Sequence, residues 1–198
     1  MFAANCVGHH VLVTLLLPLL KSAIATYGAS DTRVVITTSS FHLFCREIDF
    51  DLLTAPKATK SIYYDGIWRY CRSKLGNVLF TRELSRRLVD EALEGDKASD
   101  RIFVNCYLPG NIPTEKMDIF RKYVGTPLGW AVKKYFCFFG QTPEDGAATG
   151  VFLAASPRVC NEDIRGEYFV PIARKNGISG PAKDRELGIK LFVSAIFL

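Results

Sequence analysis

The sequence predicts an α/β fold built around a parallel sheet. Helix-like and strand-like stretches alternate along the 198 residues, and the strand-like stretches are short apolar runs rich in β-branched side chains. Such runs are typical of strands buried on both faces, and their alternation with helices favours right-handed crossovers and parallel pairing. With 48% apolar residues, the chain can bury a substantial core. We therefore expect one domain over residues 1–198.

The charge and the metal-ligating residue types exclude several classes of function. The net charge is +5, and Lys and Arg are spread along the whole chain. Because a nucleic-acid binder concentrates its basic residues, we expect no nucleic-acid partner. The six cysteines form no C-x-x-C pair, and the three histidines lack the H-x-x-x-H spacing of a helical metal site. We therefore expect reduced cysteines, no metal and a cytoplasmic protein.

The first element is an apolar helix over residues 6–22. Its most apolar part, Val11–Leu20, is interrupted only by Thr14 and ends at Lys21. Ten residues rise about 15 Å, half of the hydrocarbon core of a membrane, so we expect no transmembrane span. A signal peptide is the alternative, but no Lys or Arg precedes the apolar run. We favour a buried helix that contains Pro18.

A strand and a long helix follow. The run from Arg33 to Thr38 predicts the first strand, and a polar and aromatic loop comes after it. The next helix is expected to begin at Asp65, which can cap it, and to end near residue 94, since Gly95 is a stop signal. Apolar residues recur within it at helical spacing.

Strands and helices continue to alternate in the second half. A strand over residues 101–106 is followed by the turn residues Pro109 and Gly110. Thr142-Pro143-Glu144 combines an N-cap, a Pro at the first helical position and an acid in the first turn, and this helix should end near Pro157. Residues 167–170 predict a third strand. Three strands are few for a domain of this class.

Tyr70 and Lys74 form a candidate proton-transfer pair. They are spaced i and i+4, so they lie on the same face of the predicted helix. A phenol is a poor acid near neutrality, and a nearby ammonium favours the phenolate. Such a pair also arises by chance in a chain with 8 Tyr. Ser39 and Ser40 strengthen the interpretation, because they end the first strand, and parallel sheets hold ligands at their carboxyl ends.

Four motifs in order resemble the catalytic half of the short-chain dehydrogenases/reductases. They are N-x-x-G-H at residues 5–9, V-x-x-x-S-S at 35–40, Y-x-x-x-K at 70–74 and N-x-x-x-P-G-x-I-x-T at 105–114. Residues 142–147 and 166–169 are similar to the retinol-dehydrogenase-like branch. The resemblance implies the C-terminal half of a doubly wound, Rossmann-type domain, N-terminally truncated and without the first strands and the glycine-rich phosphate turn.

The resemblance also implies a role for each matching residue. Tyr70 would be the general acid/base, and Lys74 would favour the phenolate and hold the nicotinamide ribose. Ser40, with Ser39 as the second choice, would hydrogen-bond the substrate carbonyl, and Asn5 would position a proton-relaying water. The remaining residues would line the nicotinamide and its phosphates: Pro109, Gly110, Ile112 and Thr114.

Two functions follow as expectations. The first is an oxidoreductase that uses NADP or NAD to interconvert a small, apolar alcohol and carbonyl, with a homo-oligomer as one open assembly state. The second is a catalytically inactive fragment or pseudoenzyme, because no G-x-G-x-x-G sequence occurs in the chain. A hydrolase is less favoured because the chain has no G-x-S-x-G elbow.

Overall fold

A computed structural model of the chain describes residues 1–50, 62–112, 130, 134, 140–178 and 180–194. The strands are β1 Thr32–Thr37, β2 Ile102–Tyr107, β3 Tyr168–Val170 and β4 Arg174–Asn176. The α-helices are α1 Gly8–Ala25, α2 Ile62–Leu93, α3 Pro143–Ala155, α4 Pro157–Asn161 and α5 Arg185–Ser194. Short 3-10 segments lie at Ser40–Phe44, Ser99–Arg101 and Gly180–Lys183.

The described strands form one mixed sheet in the order β1-β2-β3-β4. β1, β2 and β3 are parallel, which confirms the predicted α/β class, whereas β4 pairs antiparallel with β3. The antiparallel pairing follows from the short turn at residues 171–173, because a parallel neighbour needs a long crossover. β4 was not predicted, since its three residues, Arg174–Asn176, are all exposed and carry no apolar pattern.

The N-terminal helical segment is longer and more exposed than the sequence predicts. α1 continues a π-helical turn at Ala3–Val7, so 23 helical residues run from Ala3 to Ala25. By length and composition this segment could cross a membrane, with a mean hydropathy of 1.6, a test that a signal sequence or a core helix also passes. Leu12, Leu15 and Leu19 are 55%, 71% and 65% exposed. The prediction of a buried helix is therefore wrong for the helix face that carries these three leucines. The cytoplasmic location stays a prediction.

Helix α2 covers one face of the sheet and forms most of the main core. Its buried stripe contains Leu75, Val78 and Leu79, which pack in one cluster with the β1 and β2 side chains Ile36 and Val104. The helix begins at Ile62, upstream of the predicted cap Asp65, so that capping prediction is wrong. The predicted stop is confirmed, because α2 ends at Leu93, just before Gly95, whose φ is +110°.

Helices α3 and α4 cover the opposite face. The predicted start of α3 is confirmed: Thr142 Oγ1 accepts from the Asp145 amide, and the Asp145 carboxylate accepts from the Thr142 amide. A second cluster joins these helices to the sheet through Phe103, Leu153, Val159 and Phe169. Helices therefore lie on both faces of the sheet, as in a doubly wound domain.

The cysteines that the structure describes are free. Cys6, Cys45, Cys71 and Cys106 are buried, and Cys160 is half-buried. This agrees with the prediction of mostly core cysteines, whereas Cys137 lies outside the described residues.

Candidate active site at the carboxyl end of β1

The end of β1 presents two adjacent serines with different surroundings. Ser39 is 9% exposed, and its Oγ accepts a hydrogen bond from the Phe41 amide at 3.3 Å, which caps the 3-10 segment. The Ser39 carbonyl lies 2.6 Å from Nδ1 of His42. Ser40 is half-buried, and within the described residues its hydroxyl has no hydrogen-bond partner. Of the two serines, Ser40 is the more exposed, and its hydroxyl has no occupied site among the described residues, whereas Ser39 Oγ has one acceptor site occupied by the Phe41 amide.

Tyr70 and Lys74 lie one turn apart on α2, next to the 3-10 segment Ser40–Phe44, which we call the serine segment. Lys74 Nζ lies 5.5 Å from the centroid of the Tyr70 ring. A second neighbour of Tyr70 is Phe41, whose ring meets it edge-on with 5.7 Å between the ring centroids. Because Phe41 directly follows Ser40, the helix and the strand end bring a phenol, an ammonium and a serine to one place. The same-face prediction for the Tyr70–Lys74 pair agrees with this geometry.

Lys74 keeps most of its hydrogen-bonding capacity. Its ammonium donates to the Thr37 carbonyl at 3.5 Å, a long contact. Burial lowers the pKa of Lys74 from its usual value, and this effect is opposed by the Cys6 thiol. Within the described part of the chain, Lys74 has no carboxylate partner. Its charge can therefore act on the phenol and on a bound molecule.

Two buried residues that sequence reasoning missed hold α2 against β1. Thr38 Oγ1 donates to the Lys74 carbonyl at 2.9 Å, and Asn77 Nδ2 donates to the Thr37 carbonyl at 3.2 Å. Thr38 and Asn77 are 2% and 1% exposed. These bonds fix the position of Lys74 relative to the strand end. The available signal was an Asn inside an otherwise apolar helical stripe, since a buried amide needs a partner.

Asn5 reaches the same helix through Ser73. Asn5 Nδ2 donates to Ser73 Oγ at 3.3 Å, and Ser73 Oγ donates to the Tyr70 carbonyl at 2.7 Å. The close approach of the two helices explains Gly76, because a Cβ there would lie 2.6 Å from the Cys6 sulfur. Asn5 is therefore joined to the helix that carries Tyr70 and Lys74, whereas a water relay to Lys74 stays a prediction.

The loop after β2 lies at the same carboxyl end of the sheet as Ser40. Thr37, the last residue of β1, is the register partner of Tyr107, the last residue of β2. Gly110 has φ +110°, and a Cβ there would lie 1.5 Å from Gln141 Oε1, so only glycine fits. Ile112 packs against Gly146 of α3, whose Cβ position lies 3.4 Å from the Pro109 carbonyl.

The structure thus brings three of the predicted cofactor-binding residues to the edge of the sheet that carries Ser40: Pro109, Gly110 and Ile112. Thr114 lies outside the described residues.

Exposed apolar side chains surround the serine segment. Leu43 and Phe44 in the 3-10 segment are 53% and 62% exposed, and Trp68, two residues before Tyr70, is 43% exposed. The Phe44 ring lies 5.8 Å from the Phe41 ring. The charged and hydroxyl groups of the site therefore stand beside an accessible aromatic and aliphatic surface.

Comparisons with known proteins agree with this arrangement. The chain is 36% identical to human retinol dehydrogenase 14 over 190 residues, which cover 94% of this chain and 45% of the relative. It is 35% identical over 195 residues to a short-chain dehydrogenase/reductase of Aspergillus calidoustus, covering 95% and 57% of the two chains. The chain spans about half the length of the curated relatives it matches.

A solved structure supports the fold. The crystal structure of an uncharacterised protein from Mycobacterium paratuberculosis matches with a TM-score of 0.56 at 22% identity, covering 98% of this chain and 57% of that one. No protein-family model matches the chain. Over nearly its whole length the chain is similar to about half of each of several short-chain dehydrogenases/reductases, with retinol dehydrogenases among these relatives.

Proposed function

We propose that the chain carries the proton-transfer half of an NAD(P)-dependent oxidoreductase that interconverts an alcohol and a carbonyl. The observation that carries the proposal is that the Tyr70 ring lies close both to the Lys74 ammonium, at 5.5 Å, and to the ring of Phe41, the residue after Ser40, at 5.7 Å. A phenol next to a cation can give a proton to a carbonyl oxygen or take one from an alcohol. The homology to oxidoreductases supports the same reaction class.

In the reduction direction, each residue has a distinct task. Ser40 donates a hydrogen bond to the substrate oxygen and orients it, while Ser39 stays engaged with the Phe41 amide. Tyr70 transfers its hydroxyl proton to that oxygen as negative charge develops there. The Lys74 ammonium stabilises the resulting phenolate, because opposite charges attract strongly in a partly buried site. In the oxidation direction the proton moves back to Tyr70.

The residues at this edge fit the nicotinamide end of a dinucleotide. Lys74 has an ammonium with donors to spare for ribose hydroxyls, and the loop that contains Pro109, Gly110 and Ile112 lies at the same sheet edge. When bound, the nicotinamide supplies or accepts the hydride. The sequence offers no glycine-rich turn for the pyrophosphate. The protein residues that we assign are therefore limited to the nicotinamide and ribose.

The substrate is expected to be apolar. Leu43 and Phe44 expose apolar surface in the segment that begins with Ser40, and Trp68 is exposed on α2 two residues before Tyr70. Such a surface binds a hydrocarbon chain or ring by removing both partners from water, at about 25 cal/mol for each Å² buried. Two relatives, the human and mouse retinol dehydrogenases 14, are named as enzymes of an apolar alcohol.

Cofactor binding provides the first test. NADH or NADPH is titrated into the purified chain, and energy transfer from Trp68 and Trp130, both half-exposed, to the reduced nicotinamide is recorded. Saturable transfer supports the oxidoreductase. The competing hypothesis of an inactive fragment or pseudoenzyme predicts no transfer with either cofactor.

A matched pair of variants tests the chemistry. Tyr70→Phe removes one hydroxyl and should lower the turnover of an apolar aldehyde by about 10²–10⁴-fold, the usual contribution of a general acid. Tyr27→Phe is the control, since Tyr27 is 83% exposed and should leave turnover unchanged. Cofactor binding should survive in both variants. Equal turnover of the Tyr70→Phe variant and the wild type would refute the assignment of the acid.

A further inference from the structure

A cavity of about 770 Å³ lies between α2, the β3–β4 hairpin and the start of α5. Its volume falls within the range of about 300–1,000 Å³ that is typical of small-molecule sites. The α2 residues that line it run from Leu79 to Val89, so the cavity begins more than one helical turn beyond Lys74. It is therefore separate from the proposed active site, and the inference below does not depend on the proposed function.

Two residues with hydroxyl side chains line this cavity. Ser85 and Tyr168 are 6% and 3% exposed. Ser85 Oγ lies at the junction with the loop before β3, 3.3 Å from the position of a Cβ built on Gly166, which also lines the cavity. A serine hydroxyl can donate one hydrogen bond and accept others. Ser85 therefore offers a hydrogen-bond donor to a ligand in the cavity.

The carboxylates of the wall already have partners. Glu83 accepts from Arg86 at 2.8 Å and from Arg87 at 2.7 Å, and Glu167 pairs with Lys175 at 2.6 Å. The other two carboxylates are also engaged: Asp163 pairs with Arg165, and Asp184 accepts from the Leu187 amide.

Some basic residues of the cavity wall have no carboxylate partner among the described residues. Arg82 donates to the Ala182 carbonyl at 2.8 Å, and within the described residues it has no carboxylate partner. Lys183 and Arg185 are exposed at the rim and likewise lack an acidic partner among those residues. The wall as a whole therefore carries an excess of positive charge. Leu79, Val89 and Ile178 add apolar surface.

We propose that this cavity binds a small organic anion, with a phosphate or carboxylate head and a carbon body. The head is neutralised by Arg82, Lys183 and Arg185 and accepts a hydrogen bond from the Ser85 hydroxyl. The carbon body occupies the apolar part of the wall, because 770 Å³ is far more than a bare phosphate fills. Charge-assisted hydrogen bonds to such heads are the strong ones in proteins.

Three probes test the proposal on the full chain: inorganic phosphate, phenyl phosphate and benzoate. Binding is measured by calorimetry and by the shift in thermal unfolding, with NaCl added to hold the ionic strength constant. We expect phenyl phosphate or benzoate to bind saturably and more tightly than inorganic phosphate. Comparison of these two then identifies the head as phosphate or carboxylate.

Matched variants locate the site. Lys183→Gln and Ser85→Ala should each weaken binding by about 3- to 10-fold, the effect of losing one charge or one hydrogen bond. Lys97→Gln removes an equivalent exposed charge outside the cavity and should bind as the wild type does. The proposal is overturned if none of the probes binds saturably, if NaCl alone reproduces the shift, or if Lys183→Gln and Lys97→Gln behave alike.

Discussion

His10 should make the stability of this protein sensitive to mild acid. Its ring is 2% exposed and contacts the rings of Phe80 and Phe192, with 4.5 Å between ring centroids in each pair; the two Phe rings also stack on each other at 5.7 Å. Within the described residues its Nε2 has no hydrogen-bond partner. Burial, and to a smaller extent the nearby Arg87, lower the pKa of His10 from 6.5 to about 4. The folded protein therefore favours the neutral ring.

The direction and size of the effect follow from linkage. Because the folded pKa lies below the unfolded value, the stabilising effect is present above pH 6.5 and is lost as the pH falls towards 4. The unfolded chain binds the proton first, which lowers the free energy of unfolding by about 2 kcal/mol between pH 7 and 5 and about 3 kcal/mol by pH 4. His10→Phe removes this titration while it keeps an aromatic ring in contact with Phe80 and Phe192.

Urea unfolding at a series of pH values measures the effect. The free energy of unfolding of the His10→Phe variant should fall less from pH 7 to pH 4 than that of the wild type, by about 3 kcal/mol. His9→Phe is the comparison on the same helix: burial and Lys74 also lower the pKa of His9, but His9 is exposed, so this change should reduce the pH dependence less than His10→Phe does. Parallel pH profiles for the wild type and the His10→Phe variant would refute the assignment of acid sensitivity to His10.

Three further changes test the fold. Thr142→Ala should cost about 1 kcal/mol in urea unfolding because it removes the N-cap of α3, whereas Thr142→Ser should restore the loss. Gly110→Ala should lower the thermal midpoint, because φ is +110° and the new Cβ would meet Gln141; Gln141→Ala should recover only the part due to that clash. Leu153→Ala should cost about 2–5 kcal/mol, since Leu153 is 1% exposed, whereas the same change at Leu93, 83% exposed, should stay within about 0.5 kcal/mol.

Local signals were sufficient for much of the fold. The capping box at Thr142 and the stop at Gly95 act within a few residues, and the structure confirms both. The predicted start of α2 at Asp65 lies after the observed start at Ile62. Residue types that can cap a helix also occur inside helices, so the sequence did not show which of the two positions Asp65 occupies. The exposed strand β4 was missed because it has no apolar pattern.

The burial of α1 could not be predicted from its composition. An apolar sequence shows that burial would be favourable, but it does not show which neighbours are available to cover it. The structure leaves Leu15 and Leu19 exposed while His10, on the same helix, is buried against two aromatic rings. Which face is covered depends on packing between elements that are distant in sequence.

The sequence by itself determined the alternation of helices and strands as far as β3, the spacing of Tyr70 and Lys74 and the pair of serines at a strand end, because these depend on helix and strand periods. Only the tertiary structure decided that the Ser39 hydroxyl is engaged and that of Ser40 is not, and that Thr38 and Asn77 hold the helix to the strand. Those contacts join residues 36 and 40 positions apart. Hydrogen bonds are directional and short-ranged, so their partners are known only once the two elements have packed together.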